Sequence, residues 1–138
     1  MLPDWCSTYV GIPFKALGRD RSGCDCYGLV RLVLSERFGV SWPLFGEGDY
    51  ENPFDHELVG ALVSANAPLL AGARLREAEL GAVALATIAG EPCHLGLFVG
   101  EGFILHARDK KGSVLERALS PFFRDHLEGY YRVRHPGR

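Results

Sequence analysis

The hydrophobic period of this chain changes half-way along it, and that change restricts the fold more than any other feature. In the first half, Cys26, Leu29, Val30, Val33, Leu34 and Phe38 recur at i, i+3, i+4, i+7, i+8 and i+12, one face of a helix. Gly39 supplies the stop. A second helix is predicted from Pro53 to about Ala65, with Asn52 as N-cap, Pro53 at its first position, and Asp55 and Glu57 in the positive first turn. Its apolar face would carry Phe54, Leu58, Ala61, Leu62 and Ala65. Pro3 and Asp4 start a shorter helix with Trp5 and Tyr9 that stops at Gly11, and residues 12–25 read as a loop rich in Gly, Arg and Asp. In the second half the apolar runs shorten to strand length: Ala82–Ile88, His94–Val99, Phe103–Ala107, Val114–Arg117 and Gly129–Val133. Gly100-Glu101-Gly102 marks a hairpin, and Ser120-Pro121 opens a helical turn over Pro121–Leu127. Helices first and antiparallel strands after predict an α+β fold, not a parallel α/β one.

Composition narrows the function classes. The 138 residues suit a single domain spanning 1–138, and 47% hydrophobic with 23% charged residues suits a globular core. A net charge of −2 provides no basic excess for a nucleic-acid backbone. Apolar stretches such as Val83–Ala89 are far shorter than the roughly 20 residues that span a bilayer. The start, Met1-Leu2-Pro3-Asp4-Trp5, carries neither the basic nor the apolar region of a secretory signal, so synthesis and first residence in the cytoplasm are expected. In a reducing compartment Cys6, Cys24, Cys26 and Cys93 are then packing residues, metal ligands or a nucleophile.

Cys26 stands at the start of the strongest helix. Unpaired N–H groups and the positive end of the dipole there favour thiolate and lower the thiol pKa. Asp25 opposes this, so a cationic partner is needed. Position alone leaves two readings open: a nucleophile, or the first core residue of the stripe. His56, His126 and His135 fall in polar surroundings and read as surface residues. His94 and His106 do not. With a turn centred on Glu101, residue i faces residue 202−i, and the two histidines become diagonal neighbours on one sheet face, roughly 7–8 Å apart at the backbone. A turn without a bulge would put them on opposite faces. Two histidines facing a helix that begins with a cysteine make a nucleophile–base–orienter set. A zinc site drawing on Cys24, Cys26, Cys93, His94 and Cys6 is the competing use. Cys24-x-Cys26 is too tight and Cys93-His94 too close for ordinary structural zinc spacing.

Cys24-Asp25-Cys26-Tyr27-Gly28-Leu29-Val30 resembles the Asp-Cys-Ser-Gly-Leu/Phe-Val segment of NlpC/P60 cysteine peptidases. His94-Leu95-Gly96-Leu97-Phe98-Val99-Gly100 and Phe103-Ile104-Leu105-His106-Ala107 resemble that family's two histidine strands. Gly129-Tyr130-Tyr131-Arg132 is similar to its closing strand, and Gly11-Ile12-Pro13-Phe14 with Gly18 to its entry segment. The resemblance covers about residues 5–133. It implies a papain-like α+β fold, N-terminal helices packed on a mainly antiparallel sheet. It also implies Cys26 as nucleophile, His94 as general base, His106 as the residue orienting His94, no metal and no cofactor. Peptidoglycan stem peptides are the implied substrate, with Asp25, Phe14 and Tyr27 as substrate-side residues. Phe14 stands where the family often has Tyr, and Tyr27 where it usually has a small residue. Tyr27 through Arg31, Gly39 through Pro43 and Gly48-Asp49-Tyr50 resemble the bacteriophage-tail and gene-transfer-agent branch. That branch implies tail hub or tip proteins as partners and delivery to the cell wall in a phage-like particle. A structural tail protein without catalysis, and an acyltransferase or amidase on the same fold, are the alternatives.

Overall fold

Asp25 starts the principal helix, α1 (Cys26–Phe38): its Oδ1 accepts the Gly28 backbone N–H at 2.8 Å, which satisfies one of the donors a helix start leaves free. Gly39, at φ +66°, ends it in the left-handed conformation, and the Val40 N–H returns to the Leu34 carbonyl at 3.0 Å. The computed structural model describes residues 1–43, 52, 59–64 and 71–133. Residues 59–64 are helical, within the second predicted helix; most of that helix, together with His56, Gly48-Asp49-Tyr50 and His135, lies outside the described residues. Ahead of α1, Asp4–Tyr9 form a 3-10 helix, and a two-stranded hairpin pairs β1 (Arg19–Asp20) with β2 (Gly23–Cys24).

The second half forms one antiparallel sheet. Its strands are β3 (Ala71–Leu75), β4 (Val83–Ile88), β5 (Glu91–Gly100), β6 (Phe103–Arg108), β7 (Gly112–Arg117) and β8 (Leu127–Val133), in the spatial order β3-β8-β4-β5-β6-β7. The expected α+β class is what forms. β5 reaches further back than the alternation alone suggested, through Pro92, because a register shift between Ala86 and Thr87 accommodates it. A short helix, α2 (Pro121–His126), precedes β8, capped by the Ser120 hydroxyl with Pro121 in its first turn.

The sheet is apolar on both faces. Odd-numbered residues Val83, Leu95, Leu97, Val99, Leu105 and Ala107 meet Leu29, Val30, Val33 and Leu34 of α1 in the main core. Those four α1 side chains are fully buried or nearly so, and each contributes about 2 kcal/mol of burial. Even-numbered residues Ala84, Ala86 and Ile104 meet Phe123 of α2, with Phe98, Phe122 and Tyr130 at the margin. The outer edge of β7 is held by the N-terminal loop. The Gly11 N–H bonds the Ser113 carbonyl and the Ser113 N–H bonds the Ile12 carbonyl, both at 2.9 Å. This carries the following residues, Phe14 among them, across to the start of α1, where Phe14 bridges Cys24.

Candidate active site

The register of the β5–β6 hairpin follows the expected sum: Leu97 faces Leu105 and Phe98 faces Ile104, with an irregularity near the turn at Gly100. His94 and His106 therefore share the even-numbered face, and their side chains meet. The His94 Nε2 to His106 Nδ1 distance is 2.8 Å and the rings stand edge to face, 81° apart. Gly96 lies between them. A Cβ there would fall 2.5 Å from Ile104 Cγ2 and 3.2 Å from His106 Cβ, so the side chains close over a position that only glycine leaves open.

The relation to α1 differs from the expected one. The helix packs on the odd-numbered face and does not cover the histidines. Only its first residue reaches them. Half-buried Cys26 lines one cleft with Phe14, Ile88, Cys93, His94, His106, Ala107, Arg108, Asp109 and Phe122. Its Sγ makes a long contact, 4.0 Å, with the Cys93 carbonyl of β5. α1 turns its apolar stripe to the leucines and valines of the sheet, and the alternation of the strands then places the histidines on the far side.

The electrostatics of Cys26 also run against expectation. The thiol is pushed up to about 12, first by burial and then by the Asp25 carboxylate. Backbone N–H groups of Leu95 and Tyr27 pull it the other way without reversing the shift. Desolvation disfavours the thiolate, and here it outweighs the pull of the helix N-terminus.

His106 is fully buried. Burial pushes its pKa down to about 4, against the opposing pull of Glu116. Its Nε2 lies 2.9 Å from Glu116 Oε1, and the same carboxylate accepts from Arg108 Nη1 at 3.2 Å and, through Oε2, from the Ser120 hydroxyl at 2.7 Å. Phe122 and Phe123 close over the pair: Phe122 stacks on His106 at 5.7 Å and meets His94 edge-on at 5.6 Å, and Phe123 tilts against His106 at 4.6 Å. His126, expected at the surface, is half-buried against Phe122, with Nδ1 3.1 Å from the Thr87 carbonyl.

Of the expected substrate-side residues, Phe14 lines the cleft and two do not. Asp25 is fully buried, and its oxygens take the Gly28 and Leu17 N–H groups and an ion pair with Arg19 at 2.8 Å. Its carboxylate holds the start of α1 together and is not among the residues lining the cleft. Tyr27 turns into the core, stacks on Trp42 at 5.5 Å, donates its hydroxyl to the Pro43 carbonyl and lies under the Arg19 guanidinium. Both flank the cysteine, Asp25 as the N-cap and Tyr27 as the second helical residue, and neighbouring positions there point in different directions. The other cysteines are dispersed. Cys6 joins the main core, Cys24 donates to the Asp20 carbonyl, and Cys93 packs with Val59. Among the described residues, no three His, Cys, Asp or Glu side chains are arranged to hold a metal.

A family model described as the NlpC/P60 family matches residues 11–132. The chain belongs to the NlpC/P60 family. Among curated relatives, it is 22% identical over 130 residues to the murein DD-endopeptidase MepS/murein LD-carboxypeptidase of Escherichia coli, covering 94% of this chain and 60% of that protein. The chain thus spans about 60% of the length of the curated relatives it matches. Among solved structures, it is similar to a lipoprotein-like NLP/P60 family protein of Staphylococcus aureus, with a TM-score of 0.64 and 22% identity over 93% of this chain and 38% of that one. It is also similar to the peptidoglycan hydrolase RipB of Mycobacterium tuberculosis, with a TM-score of 0.56 and 20% identity over 94% of this chain and 61% of that one. At these identities the structural likeness establishes the fold, the α+β arrangement of the NlpC/P60 family.

Sequence reasoning missed Glu116, Phe122 and Arg19. Glu116 was within reach of it. With His106 opposite Val114, Glu116 stands diagonally from His106 just as His106 stands from His94.

Proposed function

We propose that this chain cleaves peptidoglycan stem peptides as a cysteine peptidase, by acyl transfer through a thioester on Cys26. The observation that carries this reading is the paired His94 and His106 lining one cleft with Cys26, in a chain of this family. The substrate class is supported by relatives named as murein endopeptidase and peptidoglycan hydrolase.

In this mechanism the resting sulfur is a thiol, and its proton passes to His94 as the sulfur closes on the carbonyl carbon. His106 holds the His94 ring in place. The Cys26 N–H, at the first helical position with no intrahelical partner, is directed at the developing oxyanion. Protonated His94 gives its proton to the leaving amine as the C–N bond breaks. Water, deprotonated by the same histidine, then cleaves the thioester and restores the thiol. A phage-like tail is the proposed carrier to the wall after assembly in the cytoplasm, a reading supported by the resemblance around Tyr27–Arg31 and Gly39–Pro43.

Defined muropeptides digested by free protein and by sedimented tail particles, with products read by mass spectrometry, test both parts. Cys26→Ala is expected to abolish cleavage while leaving the folded spectrum intact; unchanged cleavage refutes the mechanism. Activity that never sediments with particles refutes the carrier.

A further inference from the structure

We propose that Glu116 is a positioning residue that sets the direction of the His94–His106 hydrogen bond, and so decides which nitrogen of His94 takes the proton. The proposal rests on His94 acting as the base.

An ionised carboxylate only accepts hydrogen bonds. Partial burial raises the Glu116 carboxyl, but hydrogen bonds from Ser120 and His106 and the charge of Arg108 outweigh it and hold the group below the ordinary carboxylate range. His106, buried and with its pKa pushed down, is neutral near pH 7 and carries one N–H. Facing an acceptor at 2.9 Å, that hydrogen sits on Nε2. Nδ1 then holds a lone pair and accepts, which makes His94 Nε2 the donor across the 2.8 Å contact. Neutral His94 then carries its lone pair on Nδ1, the nitrogen it uses as a base.

If the carboxylate were replaced by a group that can donate, the chain could run backwards. His106 Nδ1–H would donate to His94 Nε2, and His94 would carry its proton on Nδ1, where it could accept nothing. Arg108 and Ser120 guard against that reversal, because both donate to Glu116 and keep it ionised and oriented. The aromatic cover of Phe122 and Phe123 limits competing hydrogen bonds from water. When His94 becomes an imidazolium, the carboxylate charge stands two hydrogen bonds away and favours that state.

Nitrogen-15 NMR of the imidazoles in Cys26→Ala protein, at neutral pH, reads the tautomers directly. His106 is expected as the Nε2–H form and His94 as the Nε2–H form with a bare Nδ1; an Nδ1–H form at either ring overturns the proposal without any further variant. In Glu116→Gln, mixed or reversed tautomers are expected. With Cys26 restored, kcat is expected to fall about 10- to 100-fold, as for an outer-shell partner, with KM within about twofold. Unchanged tautomers in that variant, or a rise in KM at constant kcat, overturn the proposal. The NMR result stands apart from the proposed activity, since it is read in a protein that lacks the nucleophile.

Discussion

Replacing Gly28 by alanine sets two effects of opposite sign against each other. Gly28 lies in the first turn of α1, and alanine is favoured over glycine in a helix by about 1 kcal/mol. Propensity alone would therefore raise stability. The structure opposes it: a Cβ on Gly28 would stand 1.9 Å from the Gly18 carbonyl oxygen and 3.1 Å from Arg19 Nη1. The obstacle is backbone, and it is hemmed in from behind, because a Cβ on Gly18 would in turn stand 2.2 Å from the Gly23 carbonyl. Relief needs the 17–19 segment to move by more than about 1 Å, and overpacking of this kind costs about 3 kcal/mol. The net loss is about 2 kcal/mol, and about 5 kcal/mol if the movement draws Arg19 off the buried Asp25. With an unfolding entropy of about 2 cal/mol/K per residue over 138 residues, about 2 kcal/mol lowers Tm by about 7 °C. Thermal melts followed by far-UV circular dichroism, with urea midpoints as a second measure, read this out. A Tm unchanged or raised by about 3 °C would show that the loop yields freely and that the close approach of Gly18 does not restrain the helix.

Two further outcomes follow from buried charge. His106 titrates near 4 in the folded chain against an ordinary 6.5, so the unfolded chain binds the proton first and stability is lost as pH falls through that window, by about 3 kcal/mol. Urea unfolding at pH 7 and pH 4.5 should show a smaller loss in His106→Gln than in the wild type; equal losses would remove His106 as the cause. Arg19→Met keeps an unbranched apolar side chain but removes the guanidinium both from over Tyr27 and from the fully buried Asp25, and is expected to cost about 3 kcal/mol. A urea midpoint shift worth less than about 0.5 kcal/mol would mean that backbone N–H groups suffice to hold the carboxylate.

The chain disclosed its elements better than their surroundings. α1 and the β5–β6 hairpin follow from periodicity, and the register sum through Glu101 brings His94 and His106 together from the sequence alone. β3 escaped because Ala71-Gly72-Ala73-Arg74-Leu75 has neither alternation nor β-branched residues; pairing with β8 makes it a strand. Asp25 was weighed as a charge beside the cysteine, when its spacing to Gly28 is that of an N-cap. Its partner Arg19 is set by the β1–β2 turn, which local pattern does not reveal. The shift of the Cys26 thiol escaped for a related reason: a helix terminus can be read from residues, whereas the desolvation of the sulfur depends on which residues pack around it.

Because greasy side chains line the sheet above and below, hydropathy does little to police strand alignment. In a half-wetted sheet, a slip by one residue drives leucine into water and is punished at once. Here the same slip would trade His106 for Leu105 or Ala107 while both sides stayed oily, producing a chain that folds yet is chemically blank. What forbids the misalignment is shape. Ile104 leans into the notch above Gly96, which neither neighbour, Leu95 or Leu97, could supply, and Gly112 lets the Ile12 carbonyl come within 2.5 Å of where a side chain would begin. Each close approach disfavours a threading that would put a side chain there, one between β5 and β6 and one between β7 and the N-terminal loop. Filling either in an otherwise intact sequence is a route to protein that is soluble and compact but has its histidines out of line.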